Sequence, residues 1–299
     1  MYTENQIDRL IQPIIERQTQ INTWVIEKIA ERVKDIGELL PSDVNMLKQL
    51  YINGQDVKEI TRHIAEESDI QFIQIRELIR DIAKDSYIDA KPLYDFRHKS
   101  YIPFEKNKEL QKIVTAISNQ TAGEYVNISK AQAFLLRNPL NRKMFIPTPI
   151  AETYQKIVDT AIQATQQGTV DYHTAMSKTL EDLNDSGIRY VKYESEAGRI
   201  THQRADSAVR RNLLDGVRAI NQQVQNEIGK QVGTDGKEIT VHANPALDHE
   251  PVQGHQFKNE EYEKLQNGES FEDVNGVKFK PIERAIGTLN CRHFTYSII

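Results

Sequence analysis

Between Ile7 and Ile36 the apolar side chains keep a three-and-four spacing: Ile7, Leu10, Ile11, Ile14, Ile21, Val25, Ile29, Val33 and Ile36. A helix returns to the same face every 3.6 residues, so this pattern predicts one long amphipathic helix over residues 5–40. Pro13 falls in its first turns, where a kink or a break is expected. The stripe is narrow and the opposite face is heavily charged. Packing on neighbouring helices is the leading reading, and a partner-binding arm is the alternative.

Helical signals continue along the chain. In "LPSDVNMLKQLYINGQDVKEITRHIAEES", Ser42 or Asp43 can cap a helix, "NGQ" interrupts it, and a second helix begins. This resembles the first two helices of a helix-turn-helix. The helix expected next, "DIQFIQIRELIRDIAKDS", alternates acids with bases instead of offering base-reading side chains, so bundle packing is the reading adopted. A Pro-punctuated, aromatic segment around Pro92 and Pro103 marks a boundary. Helices are expected in "ELQKIVTAISNQTAGEY" and "ISKAQAFLLRN". "NPLNRKMFIPTPI" reads as a connection, and a helical pair follows, its second helix ending at Gly187. The pattern then changes. "IRYVKYESEAGRITH" alternates like a β-hairpin, "QRADSAVRRNLLDGVRAINQQVQNEIGKQV" is a long helix, and "KEITVHANP", "VNGVKFKP" and "HFTYSII" read as short strands. The expected class is α+β. Residues 1–100 form a helical arm or bundle and residues 101–187 a helical middle region. Residues 188–299 form a domain with a long helix packed on a small, mostly antiparallel sheet.

Composition narrows the function classes. The chain has 299 residues, 38% hydrophobic and only 7% aromatic, with a mean hydropathy of −0.59. Such values suit an elongated helical protein with much wet surface better than a compact enzyme. A net charge of −5 provides no global field that would attract nucleic acid. One cysteine excludes an intrachain disulfide and a multi-cysteine zinc site, and fits a reducing compartment. No run of apolar residues is long enough to span a membrane, and the first twenty residues do not read as a signal peptide.

Side chains with site chemistry gather near the C-terminus: Asp248, His249, His255, Cys291 and His293. Zinc accepts such ligands, but the spacings do not match a zinc finger. The leading reading is a polar lock. Asp248 can pair with Arg292, the imidazoles can satisfy carbonyls exposed by the "EPVQGHQF" turn, and Cys291 acts as a small buried hydrophobe. Catalysis by Cys291 is the third reading. Cys291 and His293 are two apart, so on a strand they share a face, but no nucleophile turn accompanies them and no phosphate-loop, H-E-x-x-H or G-x-S-x-G motif occurs. The most basic stretch carries Arg204, Arg210, Arg211 and Arg218. A solvated face with internal partners such as Asp206 and Asp215 is the leading reading there, and contact with DNA phosphate or an acidic partner is the alternative.

Three stretches, "DSAVRRNLLDGVRAINQQVQNEIG", "EITVHANPALDHEPVQGHQF" and "IGTLNCRHFTYSI", taken in this order and spacing, resemble the minor capsid protein 2 family of tailed bacteriophages, related to Mu-type head-morphogenesis proteins. "TPIAETYQKIVDTAI" and "DYHTAMSKTLEDLNDSGIRYVKY" are similar to the family's helical lead-in, so the resemblance covers roughly residues 105–299. The family-like positions are His242, Asp248, His249, Gln253, Gly254, Asn290, Cys291, Arg292 and His293, here assigned to the polar lock. The resemblance implies a structural protein of the virion, assembled in the host cytoplasm and attached at or near the portal vertex inside the head. It implies a role in head assembly and opens a part in genome packaging or ejection. The implied partners are the portal protein, the major capsid protein and packaged double-stranded DNA, with no membrane. No enzyme activity or cofactor comes with it. Zinc on Asp248, His249, His255, Cys291 and His293 stays open, as does a metal-dependent nucleic-acid hydrolase or a DNA-binding accessory role. Some Mu-type relatives carry toxin domains after the shared module, and none is expected here after "CRHFTYSII".

Overall fold

The structure is a computed structural model that describes residues 2, 4–38, 55–137, 145–166, 172–192, 201–242, 244–287, 291 and 293–299. Its class is α+β, with a helical front and small antiparallel sheets. The apolar stripe of the N-terminal segment forms helix α1 (Glu4–Gly37), which Pro13 does not interrupt. Ile7, Ile11, Ile14, Ile21, Val25, Ile29, Val33 and Ile36 are all buried on it. Helix α2 (Gln55–Asp89) is one continuous helix of 35 residues, where two helices were expected. No glycine or proline occurs near the junction, and Ser68 there bonds back to Ile64 O at 2.7 Å, satisfying its hydroxyl within the helix. Most of the first half of the helix-turn-helix-like stretch lies outside the described residues.

The remaining elements are α3 (Lys91–Phe96), a 3-10 turn (Phe104–Lys106), α4 (Lys108–Lys130), β1 (Gln132–Arg137), β2 (Phe145–Pro149), α5 (Ile150–Gln166), α6 (Tyr172–Ser186), β3 (Ile188–Lys192), β4 (Thr201–Arg204), α7 (Ala205–Val232), β5 (Gly236–Ile239), β6 (Gln256–Lys258), α8 (Asn259–Gln266), β7 (Phe271–Glu272), β8 (Lys278–Phe279) and β9 (Thr295–Ile298). The helix expected over "ISKAQAFLLRN" ends at Lys130, and "QAFLLR" is strand β1 instead. Pairing decides this: Phe134 sits opposite Thr148 on β2 and Ile188 on β3, so β1 is a central strand of a sheet ordered β2-β1-β3-β4.

The chain divides into two compact units. The first comprises Met1–Ile11, Ile73–Ala122 and Arg211–Ile299; the second comprises Gln12–Phe72 and Gly123–Arg210. In the second unit, Val25, Ile29, Val33 and Ile36 of α1 share a core with Ile60 of α2, Tyr154, Ile157 and Val158 of α5, Leu183 of α6 and Phe134 and Ile188 of the sheet. Each such side chain contributes about 1.5–3 kcal/mol by leaving water. Two ion pairs tie α1 to α2 at the edge of this core. Arg17 Nε lies 2.7 Å from Glu67, and Arg32 Nε lies 2.7 Å from Asp56, which also accepts the Tyr154 hydroxyl.

In the first unit, α7 is the central element. Val217, Ile220, Val224 and Ile228 form its buried stripe. It approaches α4 closely enough that a Cβ on Gly216 would lie 2.4 Å from Thr121 Oγ1, and Asn212 Nδ2 donates to Thr121 O at 2.8 Å. The sheet beside it is ordered β6-β5-β9 and is antiparallel throughout. Polar side chains join helix to sheet. Ser297 N donates to Gln225 Oε1 at 3.1 Å, Ser297 Oγ donates to Gln225 O at 2.8 Å, and Thr295 Oγ1 donates to Gln222 Oε1 at 2.6 Å. Lys237 is buried in the same seam and donates to Ser297 Oγ at 2.8 Å, and burial pushes its ammonium down to about 8. A second apolar cluster holds the C-terminal segments together: Ile239, Val252, Phe257, Tyr262, Leu265, Phe279, Ile282, Ile286 and Cys291.

Candidate functional site

The site is built where the loop between β5 and β6 meets the segment that enters β9. The loop is closed at its base. Gly254 N donates to Ile239 O at 2.8 Å, and Ile239 N donates to His255 O at 3.1 Å. Gly254 reaches this position at φ +74, a conformation an L side chain rarely adopts. Across the loop, Thr240 N donates to Phe294 O at 2.9 Å, while Phe294 N donates to Thr240 Oγ1 at 2.8 Å. Within the loop, His249 N and Glu250 N both bond to Ala246 O, at 2.9 and 3.0 Å, and Gln253 N bonds to His249 O at 3.1 Å. This coiled turn carries His249 to the inside of the loop.

Three ligand-type side chains converge there. Cys291 Sγ lies 3.7 Å from His249 Nδ1 and 3.5 Å from His293 Nδ1. The three atoms all lie within 4.8 Å of one another. His249, Cys291 and His293 are 3%, 7% and 1% exposed, so the cluster is closed to solvent. Each ring is held from its far side. His249 Nε2 donates to Arg284 O at 2.7 Å, and His293 Nε2 lies 3.3 Å from Gln253 Oε1. Gln253 Oε1 also accepts from His242 N at 3.2 Å, which fixes the amide with its oxygen toward His293. The His242 ring lies 4.2 Å, centroid to centroid, from that of His293.

Electrostatics follow from this burial. Loss of water, reinforced by the neighbouring His242, His249 and Arg218, pushes His293 down to about 4, so its imidazole is neutral at ordinary pH. Burial alone would raise Asp248. The Glu283 N–H, 2.9 Å from Asp248 Oδ2, and the nearby His249 outweigh it and hold the carboxyl below its usual range.

The other candidate residues divide. Asp248 lies beside His249, its Oδ2 3.7 Å from Nε2. His255 lies outside the converging group: it is exposed, and its ring packs on Phe257 and Phe279. Asn290 and Arg292 are outside the described residues, and so is the Asp248–Arg292 pair. Among the basic residues, Arg204 is exposed and bonds to Asp206, while Arg210 and Arg211 are half-buried. Arg218 is buried and lies 3.1 Å from Asp215, so it offers little charge to solvent. The sequence reading did not reach Gln222, Gln225, Lys237 and Ser297, which fasten α7 to the sheet under the site. The signal for the helix was present. Asn221 and Gln225 are four apart and adjoin the Ile220, Val224 and Ile228 stripe, which places them on the buried side.

A family model described as phage minor capsid protein 2 matches residues 2–299, nearly the whole chain. The chain belongs to this family. Neither the curated proteins nor the solved structures gave a match. As a phage minor capsid protein it has a structural role in the capsid, and the match extends through the helical front as well as the C-terminal module. Among the described residues, no helix is long and apolar enough to cross a membrane. The buried cluster brings the 240–255 loop against the segment before β9 through the contacts of Cys291 with His249 and His293.

Proposed function

We propose that this protein is a minor component of the phage head, bound at or near the portal vertex on the inner side, where it aids head assembly. The C-terminal module docks on the portal protein, and the helical front meets the major capsid protein or packaged DNA. The observation that carries this reading is the family match over residues 2–299. The geometry supports a docking role. The fastened loop presents Leu247, 88% exposed, and Val241, 68% exposed, on a backbone held by hydrogen bonds at both ends. Rigid apolar side chains of this kind favour association, because little order has to be gained on binding. A part in genome packaging or ejection follows from the same location.

Mass spectrometry of purified virions and proheads tests the proposal. The chain is expected in both, at a copy number far below that of the major capsid protein, and particles assembled without it are expected to be aberrant or empty. Its absence from both particles would refute the reading.

A further inference from the structure

We propose that His249 Nδ1, Cys291 Sγ and His293 Nδ1 hold a structural zinc ion at the centre of the C-terminal module. Proton counting leads to this. Arg284 O can only accept, so His249 carries its proton on Nε2. Gln253 Oε1 is committed as an acceptor by the His242 N–H, so His293 also carries its proton on Nε2. Both Nδ1 atoms therefore turn a lone pair toward one sulfur. A single S–H can serve one of them. The other would face a sulfur lone pair in a site closed to water, which is an unsatisfied buried acceptor. A cation resolves the conflict, since thiolate and both lone pairs then point at positive charge.

The distances fit. With Zn–S near 2.3 Å and Zn–N near 2.0–2.1 Å, a tetrahedral ion sets its sulfur and nitrogen ligands about 3.6 Å apart. The observed separations are 3.5 and 3.7 Å. The outer contacts also fit, because ligating imidazoles usually donate their second N–H to a carbonyl or carboxylate oxygen, as Arg284 O and Gln253 Oε1 accept here. Thiolate with two imidazoles suits zinc and disfavours magnesium and calcium, which prefer oxygen ligands. Water or the His242 imidazole fills the fourth position. On binding, the Cys291 S–H bond breaks, its proton passes to solvent, and the electron pair left on sulfur forms the bond to zinc. Zinc would thus join the 240–255 loop to the segment entering β9 more firmly than the side chains do alone. This inference does not depend on where in the particle the chain sits.

The test uses the purified full chain in reducing buffer. Elemental analysis is expected to find about one zinc per chain, and a strong chelator is expected to lower the melting temperature. Zinc content should fall by about tenfold or more in Cys291→Ser and His249→Ala, as loss of a ligand demands, and stay unchanged in His255→Ala. Variants that fail to fold leave the wild-type chain to decide. Reconstituted with Co2+, it should show a thiolate-to-cobalt charge-transfer absorption, which a metal-free lock cannot give. A folded wild-type chain without zinc that develops no such band would overturn the proposal. So would zinc that persists in a folded Cys291→Ser, His249→Ala double variant.

Discussion

Lys237 offers a quantitative test of the seam between α7 and the sheet. The residue is 7% exposed, and its ammonium donates to neutral oxygens, foremost Ser297 Oγ at 2.8 Å. Burial lowers it from 10.5 to about 8. The sign of the linkage follows from proton binding. Below pH 8 the lysine is charged in both the folded and the unfolded chain, and the folded chain bears the full penalty of burying it. Between 8 and 10.5 the folded chain releases its proton first, so the unfolded chain binds more protons and stability rises with pH. At about 1.4 kcal/mol for each tenfold change in proton affinity, the fall from 10.5 to about 8 amounts to about 3–4 kcal/mol, of which about 2–3 kcal/mol is regained by pH 10. Tyr125 and Tyr262, both pushed up to about 12 by burial, add their own pH dependence only above about pH 10. Lys237→Met removes the titration and keeps most of the side-chain volume. Urea unfolding of both proteins from pH 7 to 10, followed by circular dichroism, should show the wild-type gaining about 2–3 kcal/mol relative to the variant. An NMR titration of the Lys237 side chain should give a midpoint near 8. Parallel stability curves and a midpoint above 10 would show that burial does not depress this lysine.

Further outcomes follow from single contacts. Gly236→Ala would place a Cβ 2.2 Å from the Phe257 backbone oxygen, so β5 and β6 must separate; a loss of about 3 kcal/mol or more in urea unfolding is expected. Gln253→Leu strands the His242 N–H and the His293 Nε2–H together and should destabilise by about 2–4 kcal/mol, whereas a change within about 0.5 kcal/mol would mean that this side chain does not hold the loop. Leu247→Asp, on a side chain that is 88% exposed, should leave stability within about 0.5 kcal/mol of wild type while reducing incorporation into proheads; unchanged incorporation would exclude Leu247 from the docking surface.

Local pattern made some of this architecture legible before the structure. The stripe from Ile7 to Ile36 specified α1, because a long three-and-four repeat fits no other element. The tail's change to short strands and one long helix was readable for the same reason. "QAFLLR" was not, since a short apolar run suits a buried helix or a buried strand equally. Its pairing with β2 and with β3, more than fifty residues further on, decided the matter. Strand β6 spans only Gln256–Lys258, too short for any period to show. At the candidate site, Cys291 and His293 do meet, Sγ to Nδ1 at 3.5 Å, but they lie ahead of β9, which begins at Thr295, so the strand face expected from their spacing of two is not what joins them. The arrival of His249, 42 residues earlier, depends on the coiled turn after Ala246 and could not be read from spacing. His255 looks equivalent to His249 in sequence, but it follows Gly254 at the base of the loop and faces Phe257 and Phe279 instead.

Cross-linking mass spectrometry on intact virions tests the proposed portal-vertex placement, because it reads the neighbours of this chain in the assembled particle. Lys264, Lys278 and Lys280 are exposed on the C-terminal module and supply reactive amines. Cross-links from these lysines to the portal protein are expected. Links from them to tail proteins alone, or a virion that lacks the chain, would contradict that placement.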